Sequence, residues 1–457
     1  MTDAPARPFG RNLADFLDGN GQLPPPEQKL REACARGRGC VLGVTRPKAA
    51  TPENTVRAGF VRFLALGGDD STPVHEKGVW LSGAWIEGVV DLSFASVSGH
   101  LLLQKCRLSD LNIREAKLSV LTLAGSNVEG GINGFGVRVT GSVSLHQDFW
   151  SGGPVLLVGA HIGGYLSCTG SIFEPSEGDA LCVAQALIGG TILLGSGFNA
   201  RGQMDFSGAK VGGLMDPEVY WPKVGNIVID GMTIGRFVGD APTNGAARIR
   251  WLERQDKSHL EKDFRPQPWE ETIRVLREMG HDEDARVVAI AKQAQLRLAG
   301  KVTAPWLHAV WGGLAGYGYR PLRLVGFMIA VLVFCSAVFW AAETQGVFAP
   351  TSPVLHTDTV IASACRVGPD AGDAAWTRCT QMPDAYTTFQ PFWYSLDLIL
   401  PVVELQQDQD WAPAVTVNGQ NFGLGMVTRW VMWFEILFGW VASLMLIAIL
   451  TNLVKKD

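Results

Sequence analysis

The residues best placed to do chemistry in this 457-residue chain are carboxylates set among apolar neighbours near its C-terminal end. Pro391 to Pro401, PFWYSLDLILP, is a short apolar run bracketed by prolines; it carries Asp397 and is followed by Val402, Val403, Glu404 and Leu405. It is too short to cross a hydrocarbon core of about 30 Å and has the length of a re-entrant segment. Irregular backbone at that depth is tolerated only against protein or a water-filled cavity, which several copies around an axis would supply. If there is a pore, rings of Glu404, and of Asp397, would favour cations, with Val402 and Val403 in the irregular strand that follows the short helix.

A further carboxylate, Glu435, lies inside a longer apolar run. Such a group is functional by default, since it costs about 2.5–3.5 kcal/mol at the bilayer centre. Pairing with the nearby Arg429 or with a tryptophan is its structural alternative. Elsewhere the chemistry is sparse. No P-loop, no G-x-G-x-x-G after a strand, no C-x-x-C and no G-x-S-x-G occurs, and the eight histidines are scattered singly. Asp91, Arg114, Glu115, Asp205 and Asp216 could be assembled into a β-helix lyase or hydrolase face, but a cytosolic rod has no evident polysaccharide to act on. The expectation is a non-enzyme with no cofactor and no metal site.

The elements that must position these groups come from composition. Hydrophobic residues reach 47% and charged ones only 18%, while the net charge of −5 gives no global attraction to nucleic acid. Leu324 to Ala342 contains no charge and one serine, enough at 1.5 Å per residue to span. Trp430 to Val454 carries only Glu435 and is again long enough. The N-terminus has no apolar core of a signal peptide. Basic residues flank the spans: Lys292, Arg297, Lys301, Arg320 and Arg323 before the first, Lys455 and Lys456 after the second. This places both termini in the cytoplasm of a bacterial inner membrane, with the first group against anionic lipid. The segment Glu343 to Thr428 is exported, and there Cys365 and Cys379 are expected to pair. The other cysteines are expected to be small core residues.

Between Gly78 and Asp240 lie 29 of the 53 glycines, and apolar residues recur every 10 or 11 positions. One series is Leu81, Leu92, Leu103, Ile113, Leu123; another is Ile86, Val97, Leu108, Leu118, Val128, Val139, Phe149. Short repeats with glycine turns describe a solenoid of parallel strands, two units per coil and seven or eight coils, with an insertion at EPSEGD. A β-sandwich is the competing reading, and glycine at this density excludes a helical one. NTVRAGFVRFLALGG should form an amphipathic helix capping the open edge. The expected organisation is an N-terminal extension with capping helix (1–77), a parallel β-helix (78–240), a helical connector (241–304), an interfacial segment (305–323), a first transmembrane helix (324–343), an exported loop (344–428) with a re-entrant helix (391–401), and a second transmembrane helix (429–454). The fold class is mainly β with an α membrane part.

The region from Pro321 to Asp457 resembles two-transmembrane pore-loop channels, in which a pore helix and filter sit between the spans and an inner-helix glycine such as Gly439 forms a gating hinge, with Glu435 beside it. The potassium filter Thr-Val-Gly-Tyr-Gly is absent after Pro401, and the GYGY at 316–319 precedes the first span. The upstream half, through GVWLSGAWIEGVVDL and GYGYRPLR, resembles bacterial pentapeptide-like β-helix proteins with a C-terminal membrane segment. Together the resemblances imply a homo-oligomer, a tetramer if it is a channel, that passes small cations and carries a cytosolic rod for an unidentified partner other than nucleic acid. A membrane-anchored scaffold without conduction is the alternative.

Overall fold

The computed structural model describes residues 12–417, 420, 421 and 423–454. The chain folds as two compact units, Met1–Thr303 and Ala304–Asp457.

The first unit is built on a parallel β-solenoid of about seven turns. Leu101, Leu121, Val143 and Leu166 stack in register, so successive coils take 20, 22 and 23 residues, two sequence repeats each. At the insertion the coil lengthens, and Leu166 pairs with Ile192. The rungs form one twelve-stranded and two seven-stranded sheets, every pairing among them parallel. Both apolar series point inward: Leu81, Leu92, Leu103, Ile113 and Leu123 are fully buried, as are Val128 and Phe149, and only Val97 is half-exposed. Most rungs are two or three residues long, so the inward side chain usually repeats once per face, while longer ones such as Gly78–Ser82 and His100–Gln104 alternate inward and outward. Backbones approach closely at the corners. At Gly131, φ is +101° and an added Cβ would stand 2.4 Å from the carbonyl oxygen of Pro154, so only glycine fits.

A solenoid exposes unpaired edges at both ends, and side chains cover them. Helix α1 (Pro25–Ala35) and helix α2 (Ala58–Ala65) precede the first full coil; α2 buries Phe60, Val61, Phe63 and Leu64 there. Helices α3 (Gly245–Leu252), α4 (Lys257–Leu260), α5 (Gln267–Glu278) and α6 (Asp282–Leu298) follow the last coil. The backbone N–H of Ile234 on the final rung donates to Glu271 of α5 at 2.6 Å, and Arg274 donates to the Ile234 carbonyl at 2.7 Å. Beneath them Arg248 of α3 donates twice to the carboxylate of Asp216, each bond 2.9 Å, with both residues buried. These helices close the solenoid as part of the same unit. Lys292, expected at a membrane surface, is instead buried on α6 and bonded to Glu270. Its ammonium is taken by a protein carboxylate before any lipid could use it. Burial pushes the thiols of Cys34 and Cys106 up to about 12, in keeping with unreactive core cysteines.

The second unit begins with α7 (Pro305–Ala315), whose Trp306, Leu307 and Val310 are exposed, and continues into α8 (Pro321–Thr344). Arg320 and Arg323 are exposed at the start of α8. A strand at Phe348–Pro350 leads to α9 (Pro353–Thr357) and α10 (Thr359–Ala364). After a loop come α11 (Pro391–Ile399), α12 (Gln407–Asp410), a strand at Trp411–Pro413 antiparallel to the first, and α13 (Gly423–Val454). Helices α8 and α13 are long and apolar enough to cross a membrane.

Candidate functional site

Pro391 starts α11 because its missing N–H costs nothing in a first turn, and Pro401 stands just beyond its end. The nine-residue helix is seated between α8 and α13. Ser395 Oγ lies 3.1 Å from the carbonyl of Leu332, at the middle of α8, and it also donates to Glu435 of α13. From Leu332 to either end of α8 is 11 or 12 residues, about 17–18 Å at the helical rise. Tyr394, fully buried, donates to the sulfur of Met432 at 3.2 Å.

At its C-terminal end α11 meets Gly439. A Cβ there would lie 2.3 Å from the Ile399 carbonyl, so glycine is required by the approach of one helix to another. The structure therefore gives Gly439 a packing role. Helix α13 runs as a single element from Gly423 to Val454.

The turn that follows is held by Asp397. Its carboxylate accepts the backbone N–H groups of Leu405 at 2.7 Å, Gln407 at 2.8 Å and Asp408 at 3.0 Å, and only 7% of the residue is exposed. Sequence alone places Asp397 in an acidic ring. In the folded chain its oxygens are consumed by the turn, because three otherwise unpaired N–H groups converge on them. Val402, Val403 and Glu404 occupy the exposed tip of the same turn, Val402 at 85% exposure. Gln407 then reaches back, accepting from the N–H of Gln390 at 3.2 Å and donating to the Thr388 carbonyl at 3.1 Å. Trp411 Nε1 donates to Thr387 at 2.8 Å, and Asp410 accepts from the Thr387 N–H and hydroxyl. Chain entering α11 and chain leaving it are thus tied together. Partial burial and the neighbouring Asp397 carboxyl push the carboxyl of Asp408 above the ordinary range.

Glu435 is completely buried and bonded to Ser395, so the expected pairing with Arg429 is not formed. Arg429 instead donates to the Pro413 carbonyl at 2.8 Å. Around this core Phe339, Phe348, Phe389, Tyr394 and Trp411 pack edge to face or tilted, with centroids 4.2–6.0 Å apart. Cys365 and Cys379 form a disulfide with their Cα atoms 5.6 Å apart, and Arg378 binds Glu343 at the end of α8. Among the groups invisible to sequence reasoning are Ser395, Gln407 and Thr387, whose partners lie 40, 17 and 23 residues away. Only the prolines on either side of α11 hinted that this segment is special. Lys301 and Arg297 end the first unit, exposed and half-exposed respectively; Lys455 and Lys456 lie outside the described residues.

The site is therefore a short helix inserted between two long apolar ones, followed by a tightly bracketed turn. No family model, curated protein or solved structure matches the chain. What stands is a β-solenoid protein with two helices able to cross a membrane, an architecture compatible with membrane anchoring.

Proposed function

We propose that the chain is an oligomeric inner-membrane protein whose second unit passes or gates small cations through a pore-loop module, while the solenoid remains in the cytosol as a sensing or scaffolding domain. The observation that carries this reading is the seat of α11, whose Ser395 reaches Leu332 at the middle of α8. If α8 and α13 cross the bilayer, α11 ends near its midplane and is re-entrant. Its termini are satisfied there by Asp397 and by the returning chain, as backbone at that depth requires. Several copies, four in the simplest arrangement, would bring their exposed Val402–Val403–Glu404 tips around one axis, leaving Glu404 as the acidic ring. Both ends of the chain then face the cytoplasm, with lipid around the exposed faces of α8 and α13, and no enzymatic step is involved.

Purified protein reconstituted in liposomes tests the reading. Cation flux should appear with wild type, and Glu404→Gln should lower cation selectivity without loss of assembled protein. Absence of flux under all ionic conditions, or a monomer by mass measurement in detergent, would favour the second reading, a membrane-anchored solenoid scaffold. That reading is favoured by the turn itself: Asp397 is spent on the backbone, so the tip keeps one acidic side chain where two were expected.

A further inference from the structure

The solenoid carries an outward column with three cations, Lys117, Arg138 and Lys210, and no carboxylate. Lys117, Arg138 and His161 stack on successive rungs of the twelve-stranded sheet, and the column continues through Leu187 to Lys210. All of these side chains are exposed. Lys117, Arg138 and Lys210 make no ion pair among the described residues, nor does Arg236 near the last rung. Like charges directly opposite on adjacent strands are destabilising, and no ion pair among the described residues offsets Lys117 against Arg138. Other outward columns differ. Asp91, Asn112, Asn133 and Leu156 hold no cation, and Arg107 on another column is bonded to Glu129.

Beside the later rungs of the column, from His161 onward, the surface is bare, whereas Ser119 and Thr140 hold the same position beside Lys117 and Arg138. Two residues along each later rung stand Gly163, Gly189, Gly212 and Gly235, where a Cβ would come within 2.2–2.7 Å of the carbonyl below. Close stacking of coils accounts for these glycines; their consequence is a flat floor with no side chain on four successive rungs. Arg138, His161, Leu187 and Gly189 line one shallow depression, and Leu187, Lys210 and Thr233 line the next.

We propose that this face docks an extended acidic peptide segment of a partner protein, laid along the column. Four rung spacings from Lys117 to Lys210 measure about 19 Å, the length of about six extended residues, so one such segment spans the column and carboxylates near its two ends reach Lys117–Arg138 and Lys210. The floor admits a main chain. The column itself carries no Phe, Tyr or Trp, where single-stranded nucleic acid uses successive aromatics. This inference is independent of conduction by the second unit.

The test is fluorescence anisotropy with the full chain in phosphatidylcholine nanodiscs and a labelled peptide of alternating glutamate and alanine. Wild type should bind it in a salt-sensitive manner and ignore the glutamine counterpart. The triple variant Lys117→Glu/Arg138→Glu/Lys210→Glu should bind about tenfold or more weakly. Lys48→Glu/Lys262→Glu/Arg277→Glu, with the same net charge but exposed sites elsewhere, should stay within about twofold. If charge reversal impairs folding by circular dichroism, the glutamine triple at the same positions replaces it. The proposal is overturned by absence of peptide binding, by equal loss in the control variant, or by tighter binding to an oligothymidylate or to phosphatidylserine vesicles.

Discussion

The solenoid and the membrane-type unit reach order by opposite means. In the solenoid each rung bonds to the rung one coil before it, 20–23 residues away in most coils and 26 at the insertion, and the same inward position is filled by Leu, Ile, Val or Phe coil after coil. Removing one such side chain leaves its neighbours able to hold the stack. In the second unit the links are few and each is singular: Asp397 to three backbone groups, Gln407 to the chain entering α11, Ser395 between two long helices. Repetition gives tolerance, whereas a bracket without copies concentrates stability in single side chains. The solenoid has its own singular points, and they lie where repetition stops, at Asp216–Arg248 and at the Glu271 and Arg274 bonds to the last rung.

The contrast can be broken at four places. Arg248→Met should have the largest effect, lowering stability of the first unit by about 3–5 kcal/mol, because it leaves the Asp216 carboxylate buried and unpaired. Thermal unfolding followed by circular dichroism reads it, and an unchanged melting temperature would mean that the solenoid end tolerates loss as its middle does. Replacing both Cys365 and Cys379 by alanine opens a loop of 14 residues' separation and should cost about 3 kcal/mol, read as a lower denaturant midpoint for the second unit alone. Asp397→Asn keeps the shape but weakens three charge-assisted bonds, with an expected loss of about 2 kcal/mol. Proteolysis should then cut first near 400–408; cleavage no faster than in wild type would deny Asp397 its bracketing role. Ser395→Ala should be mildest, about 1 kcal/mol in detergent, while accelerating amide exchange across α11. Uniform exchange in both proteins would show that the apolar seat suffices without the hydroxyl.

Much of the first unit was readable because its signal is repeated. The inward series, the glycine turns, the insertion after Phe173 and the capping helix each follow from local composition and the ten-residue period. The helices after Asp240 were readable as helices, yet their task was not. Glu271 and Arg274 look like an ordinary ion pair on a solvated face until Ile234 is seen beneath them. Lys292 misled for the same reason, since charge near an apolar span reads as a membrane anchor when Glu270 is out of view. In the second unit the proline-flanked segment and the cysteine pair stood out from spacing and compartment. Asp397 was read as an acidic ring and Gly439, from the channel resemblance, as a gating glycine; the fold shows Asp397 bonded to backbone and Gly439 packed against Ile399.

The sequence by itself determined the solenoid, its period and its inward residues, and also the two apolar helices, because each depends on patterns within a few dozen residues and on the balance of burial against water. Only the tertiary structure decided which polar groups are free and which are spent. Asp397, Glu435 and Lys292 are committed to partners distant in sequence, while Lys117, Arg138 and Lys210 are brought together and left unpaired. A hydrogen bond or ion pair depends on distances of about 3 Å between residues that the chain order separates by tens of positions, and no periodicity in one dimension encodes that meeting.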